Sequence, residues 1–225
     1  MANAQRIRWK VAQALEWRWW DRYLSRQSSE AYLRSKRAYW ERTLAQLEWE
    51  VVPGAEALDA GCGPAGVYLL LHDRQRITAI DPLLDRYRQL SVFRPDAYPG
   101  VTFLQRTLEK PGDVGPFRQL YCFNAINHVR DWELSLDTLT ALALPGSELL
   151  LTSDVHRHSW LLPVFRLLPG DLLHPQQHGP DAYRRALERR GWRIDREKVL
   201  RREAIFDYRA WVCTFSPRPD ARELP

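Results

Sequence analysis

The chain has 225 residues but only three cysteines and one methionine. Cys62, Cys122 and Cys213 are far apart and odd in number, which excludes the disulfide framework of a small secreted domain. All three fall in expected strands or a glycine loop, as reduced, buried thiols of a cytoplasmic protein do. No apolar run approaches bilayer length, and Met1 to Arg6 leads into charged helix rather than a signal sequence. The expectation is therefore a cytoplasmic protein without a membrane span. There is no internal repeat, and no low-complexity stretch beyond the Pro-rich end, Ser216-Pro217-Arg218-Pro219. Nor is there a single block of charge. The net charge of +5 is mostly arginine interspersed with acids. Its densest pieces, Arg34 to Arg37 and Arg184 to Arg190, lie on expected helices whose other faces are apolar. These read as solvated helix faces rather than a nucleic-acid footprint.

What the chain does have is tryptophan, ten in all, many of them in the first fifth. The length suits one α/β domain with an appendage and is too short for two full domains. From about Gln5 to Leu24, Ile7, Val11, Leu15, Trp19 and Tyr23 repeat every four residues, which predicts an amphipathic helix with those residues along one drifting stripe. Trp9, Trp17 and Trp20 lie off the stripe. Ser28 or Ser29 caps a second helix to about Leu47, with Leu33, Trp40, Leu44 and Leu47 inward. Val52-Pro53-Gly54 ends this helical front, residues 1–50. The front has two readings: a packed layer, or a lid that lends rings to a ligand pocket.

Beyond Glu56 the pattern alternates. Strands are expected at Ala57–Ala60, Ile77–Asp81, Val101–Gln105, Gln119–Phe123, Glu148–Ser153, Trp192–Asp195 and Ile205–Thr214. Helices are expected at about Ala65–His72, Pro82–Ser91, Asp131–Ala143 and Pro180–Arg190. That order implies an α/β fold: a seven-stranded, mostly parallel, Rossmann-like sheet with helices on both faces and an N-terminal helical cap. The final strand follows its neighbour after a short connection and enters as an antiparallel hairpin. Residues 51–216 form the main domain, with a cap insert at about 154–179 and a tail at 217–225.

The chain is organised around Ala57-Leu58-Asp59-Ala60-Gly61-Cys62-Gly63-Pro64-Ala65-Gly66, a strand, a glycine turn and a helix start. Gly61, Gly63 and Gly66 satisfy G-x-G-x-x-G, so the glycines do not by themselves choose a cofactor. Charge does. A pyrophosphate wants bare N–H groups and a helix N-terminus, and a carboxylate at Asp59 opposes it. S-adenosylmethionine (SAM) carries a sulfonium and an ammonium, which a carboxylate suits. Asp81 ends the next strand about twenty residues after Gly61, and its two oxygens can accept both ribose hydroxyls.

On these residues the chain resembles the class I SAM-dependent methyltransferases, in particular the small single-domain enzymes called type 11. The resemblance implies SAM as cofactor. It places Asp59, Gly61, Cys62, Gly63, Asp81 and Pro82 around it, with Thr107 and Leu108 at the adenine. Relatives often carry an aspartate near Thr107; this sequence does not, and backbone groups take its place. Phe123-Asn124-Ala125-Ile126-Asn127-His128-Val129 resembles the family's post-strand motif, which puts Phe123 and Asn124 near the methionine half. A base is needed only if the acceptor must lose a proton, and His156 is the first choice, then His128 and His174. The spacing of His156, His158, His174 and His178 matches no standard zinc site, so no metal is expected.

Absences narrow the acceptor. There is no Asn/Asp-Pro-Pro-Tyr motif, no Pro-Cys nucleophile at the fourth strand and no paired glutamate loop. The expected activity is methyl transfer to an oxygen or nitrogen of a small, apolar or aromatic acceptor. The alternatives are a NAD-binding oxidoreductase and a non-catalytic SAM-binding or RNA-binding protein. Exposed aromatics on the front helices would equally serve a homodimer interface.

Overall fold

The structure is a computed structural model that describes residues 2–24, 28–157, 176 and 178–217. Seven strands form one sheet: β1 (Glu56–Ala60), β2 (Arg76–Ile80), β3 (Val101–Leu104), β4 (Phe117–Phe123), β5 (Ala143–His156), β6 (Trp192–Arg202) and β7 (Phe206–Phe215), in the order β3-β2-β1-β4-β5-β7-β6. The first five are parallel, and β7 inserts antiparallel between β5 and β6, with Leu151 opposite Trp211.

Helices are α1 (Ala2–Leu24), α2 (Ser29–Gln46), α3 (Tyr68–Leu71), α4 (Leu84–Tyr87), α5 (Trp132–Ala141) and α6 (Pro180–Glu188). Successive strand side chains point to opposite faces and so feed two cores. Ala57, Tyr121, Phe123 and Leu150 join the layer with α2, α3 and α4. Leu58, Leu120, Cys122, Leu149 and Leu151 pack with Trp132, Leu136, Tyr183 and Leu187 of α5 and α6. Covered on both faces, the central strands are nearly continuous hydrophobic runs. At the amino end of the sheet Trp49 donates to the Tyr121 hydroxyl (3.2 Å), and Gln119 holds the chain after α2 through Glu50 O (2.8 Å) and Val52 N (3.0 Å). No helix among the described residues is long and apolar enough to cross a membrane.

Three expectations are corrected. The four-residue stripe on α1 is not its inner face. Val11, Trp19 and Tyr23 are exposed, while Leu24 is buried and Trp17 and Trp20 pack on the core. A repeat of four drifts about 40° per step on a helix of 3.6 residues per turn, so it cannot stay on one face over four steps. The helices after β1 and β2 are one turn each. Pro64 and Gly66 break the first into a 3-10 turn and α3, and i→i+3 bonds (Gln89 N to Arg86 O, Leu90 N to Tyr87 O) tighten the second. Strands β5 and β6 run longer than expected. β6 is an edge strand, where Arg196, Glu197 and Lys198 are tolerated because one side faces solvent. Most of the insert at 154–179 and the tail at 217–225 lie outside the described residues.

Candidate active site

β1 delivers the chain to the carboxyl edge of the sheet, where Gly61 takes φ +71° and Gly63 φ +58°. At Gly61 the reason is also spatial: a Cβ there would lie 2.2 Å from Ala125 Cβ, so the turn presses directly on the loop after β4. At Gly63 the same atom would meet nothing within 4 Å, leaving open space against the backbone. The turn is pinned to the end of β2 by Gly61 N (2.8 Å) and Cys62 N (3.1 Å), both donating to Ile80 O.

Two acids lie under this turn, both buried. Asp81 accepts from Gly63 N (3.0 Å) with one oxygen and Leu83 N (2.8 Å) with the other. Each oxygen keeps a lone pair for a further donor. Asp59 accepts from Tyr68 N (3.1 Å) and so holds the start of α3. Burial raises the Asp59 carboxyl to about 7, against its backbone hydrogen bonds, and the Asp81 charge adds to this. Burial likewise raises Asp81 to about 6. Burial and the same two acids push the Cys62 thiol far up, which leaves it protonated and no nucleophile. An acidic, dehydrated turn of this kind is short of positive charge, and a cationic ligand relieves it.

The turn forms one wall of a cavity of about 610 Å³. Pro82 and the segment Arg106 to Glu109 line it beside the ends of β2 and β3. Glu109 accepts from Arg130 N (2.7 Å) and Asp131 N (3.1 Å), tying the loop after β3 to the loop after β4. Phe123, Asn124 and His128 line it from the β4 side. Asn124 has φ +49°, a left-handed conformation that asparagine tolerates better than most residues. Its backbone N donates to Thr152 Oγ1 (2.9 Å), and its side-chain oxygen accepts from Asp154 N and Asn127 Nδ2 (3.2 Å each). That oxygen therefore braces the loop.

A second wall is aromatic. Trp9, Trp19 and Trp20 come from α1, and Lys36, Tyr39 and Trp40 from α2. Trp40 donates to Ala65 O (3.1 Å), and its ring lies 4.6 Å from that of Phe123, so α2 touches both the glycine turn and the end of β4. Tyr208 of β7 closes this side, its hydroxyl 2.7 Å from Thr152 Oγ1. Asp154 and Arg201, also in the lining, sit opposite Tyr208 on either side in the strand register.

Asp59, Gly61, Cys62, Gly63, Asp81, Pro82, Thr107, Leu108, Phe123, Asn124 and His128 thus surround one space. His156 is not in its lining. The loop expected from Asp154 is strand as far as His156, which pairs with Phe206 in register and is buried with its ring 4.6 Å away. His174 lies outside the described residues. His178 stacks on Trp132 at 4.0 Å, in surroundings different from those of His156. Sequence reading missed Lys36, Tyr39, Glu109, Arg201 and Tyr208 as lining residues. Their only signal was helical or strand spacing, which does not say what a side chain faces.

A family model described as a methyltransferase domain matches residues 32–197, well over half of the chain. The chain belongs to the class I SAM-dependent methyltransferases. A search of curated proteins finds no match by sequence. Among solved structures, this methyltransferase is similar to the 1,6-didemethyltoxoflavin-N1-methyltransferase of Burkholderia thailandensis, solved with 1,6-didemethyltoxoflavin and S-adenosylhomocysteine. Identity is 15%, TM-score 0.61, with 92% of this chain and 87% of that one covered. It is also similar to the magnesium protoporphyrin IX methyltransferase of Synechocystis PCC 6803 with bound S-adenosylhomocysteine (19%, TM-score 0.58, 82% and 83% covered). An N-methyltransferase of Bradyrhizobium japonicum WM9 is a third (13%, TM-score 0.58, 81% and 96% covered). At such identities the likeness is one of fold. The cofactor of this methyltransferase is SAM, and family membership sets aside NAD.

Proposed function

We propose that the enzyme methylates an oxygen or nitrogen of a small, largely apolar or aromatic acceptor bound between the glycine turn and the rings of α1 and α2. The observation that carries this reading is the two-sided cavity, with acids and bare backbone on one wall and indole and phenol rings on the other. SAM, when bound, supplies a methyl group already activated on a sulfonium.

In this reading Asp81 takes the ribose hydroxyls with its spare lone pairs, and Pro82 sits beside them. Gly61, Cys62 and Gly63 let the ligand lie against backbone, and the Asp59 charge acts on it through the turn. Thr107 and Leu108 flank the adenine, and Phe123 and Asn124 the methionine half. The aromatic wall orients the acceptor and excludes water, which is the main task of a protein that catalyses an in-line displacement. A phenol or alcohol acceptor requires a base, and His128 is the histidine in the described lining; a neutral amine requires none.

Calorimetric titration with S-adenosylhomocysteine tests the cofactor half. Micromolar binding, lost in Asp81→Ala, is expected, and no binding to the wild-type chain overturns the reading. Labelled SAM offered with a panel of phenols and aromatic amines then tests the acceptor half. Turnover confined to non-aromatic or macromolecular acceptors would overturn that part.

A further inference from the structure

Three cationic side chains belong to the described lining of the cavity: Lys36, Arg106 and Arg201. Arg201 is paired with Glu203 (2.8 Å), and Arg106 is exposed. Lys36 differs from both. It is half-buried, and no carboxylate among the described residues lies within ion-pairing distance of it. Its ammonium sits 5.0 Å from the centre of the Tyr39 ring and 5.1 Å from that of Trp40. Rings attract a cation, but they offer its N–H groups no strong acceptor. Burial lowers its ordinary basicity to about 8, the mark of a charge held without a counter-charge.

Its position is also fixed. Lys36 lies one helical turn before Trp40, on the same face of α2. Trp40 bonds the glycine turn at Ala65 and packs on Phe123. A side chain one turn away therefore reaches the space above the turn and the end of β4. Asp59 and Asp81 line the same cavity from beneath the glycine turn, and their charge favours the cationic parts of a ligand there. A carboxylate is repelled there and finds its complement at Lys36.

We propose that Lys36 is the carboxylate-binding side chain of the cavity, an inference that rests on the SAM-dependent reading above. Two ligands can bring the carboxylate: the amino-acid end of the cofactor, or an acidic acceptor. The recognition chemistry is the same.

The test is calorimetry on the full chain and on Lys36→Met and Lys36→Arg. The probes are S-adenosylhomocysteine and its decarboxylated analogue, followed by 2-naphthoate and 2-naphthamide on protein saturated with S-adenosylhomocysteine. If the cofactor brings the carboxylate, Lys36→Met weakens S-adenosylhomocysteine by about tenfold to a hundredfold, as loss of a charged hydrogen bond does. It leaves the decarboxylated analogue unchanged, and Lys36→Arg retains most of the affinity. If the acceptor brings it, both cofactor probes bind Lys36→Met normally, but the preference of the wild type for naphthoate over naphthamide disappears. Either pattern supports the assignment. Loss of affinity that is equal for charged and uncharged members of both pairs, or no effect on any probe, overturns it. A wild-type chain that binds no S-adenosylhomocysteine fails earlier, at the cofactor reading itself.

Discussion

The two walls of the cavity are built in opposite ways. The cofactor wall is mostly backbone: the glycine turn after β1, hydrogen-bonded to the end of β2 and to Asp81. The aromatic wall, which we propose receives the acceptor, is mostly side chain, gathered from α1 and α2 near the start of the chain and from β7 near its end. Backbone fixed by a contiguous motif serves an invariant ligand. Rings delivered by separate side chains can differ one by one while the glycine turn stays the same, which suits a wall proposed to decide which acceptor enters.

The sharpest way to break the comparison is at the turn. Gly61→Val places a branched side chain at φ +71° and drives its Cβ into Ala125. The left-handed backbone and the overlap together cost about 2–5 kcal/mol. Chemical denaturation is expected to show that loss, and S-adenosylhomocysteine binding is expected to vanish. Binding kept at wild-type strength would mean that the backbone of the turn is not the cofactor wall.

Charge on the same wall gives a smaller effect of opposite sign. Asp59 has a folded pKa of about 7, above its ordinary value of 3.8, so the folded state holds more protons than the unfolded one. Stability of the ligand-free protein therefore falls as pH rises from about 4 to 7. Asp59→Asn should raise the melting temperature at pH 8, by about 1–3 kcal/mol of stability, and change it little at pH 4. The same substitution weakens S-adenosylhomocysteine, because the favourable charge is gone. For the wild type, affinity for that ligand should drop as pH falls below 7 and Asp59 and then Asp81 take up protons. Thermal melts and titrations at several pH values check both; a melting temperature independent of pH would contradict the assignment of a buried acid.

The mildest change belongs to the acceptor wall. Tyr208→Phe removes one hydroxyl from Thr152 and costs about 1 kcal/mol. Cofactor affinity should stay within about twofold, while the rate with a given acceptor changes severalfold. Loss of cofactor affinity in this variant would mean that the two walls are not separable.

What was legible in the sequence follows the same division. Asp59, Gly61, Gly63 and Asp81 were readable because a contiguous run dictates its own backbone, and the alternating pattern carried the sheet and its final hairpin. The lengths of β5 and β6 were not, since charged residues on an edge strand look like loop and His156 looked like the start of one. The acceptor wall was least legible. Trp20 and Trp40 differ from exposed Trp19 only in how α1 and α2 dock, and docking is decided by contacts with β4 and the glycine turn rather than by local spacing.

Glu109 has a kinetic consequence. One carboxylate oxygen accepts from two successive N–H groups at the start of α5, so the loop after β3 and the loop after β4 are bolted together. A guest held by both is therefore expected to leave when the pair yields as a unit, and Glu109→Ala to shorten the residence time of S-adenosylhomocysteine in stopped-flow dissociation; an unchanged rate would mean that the loops open independently.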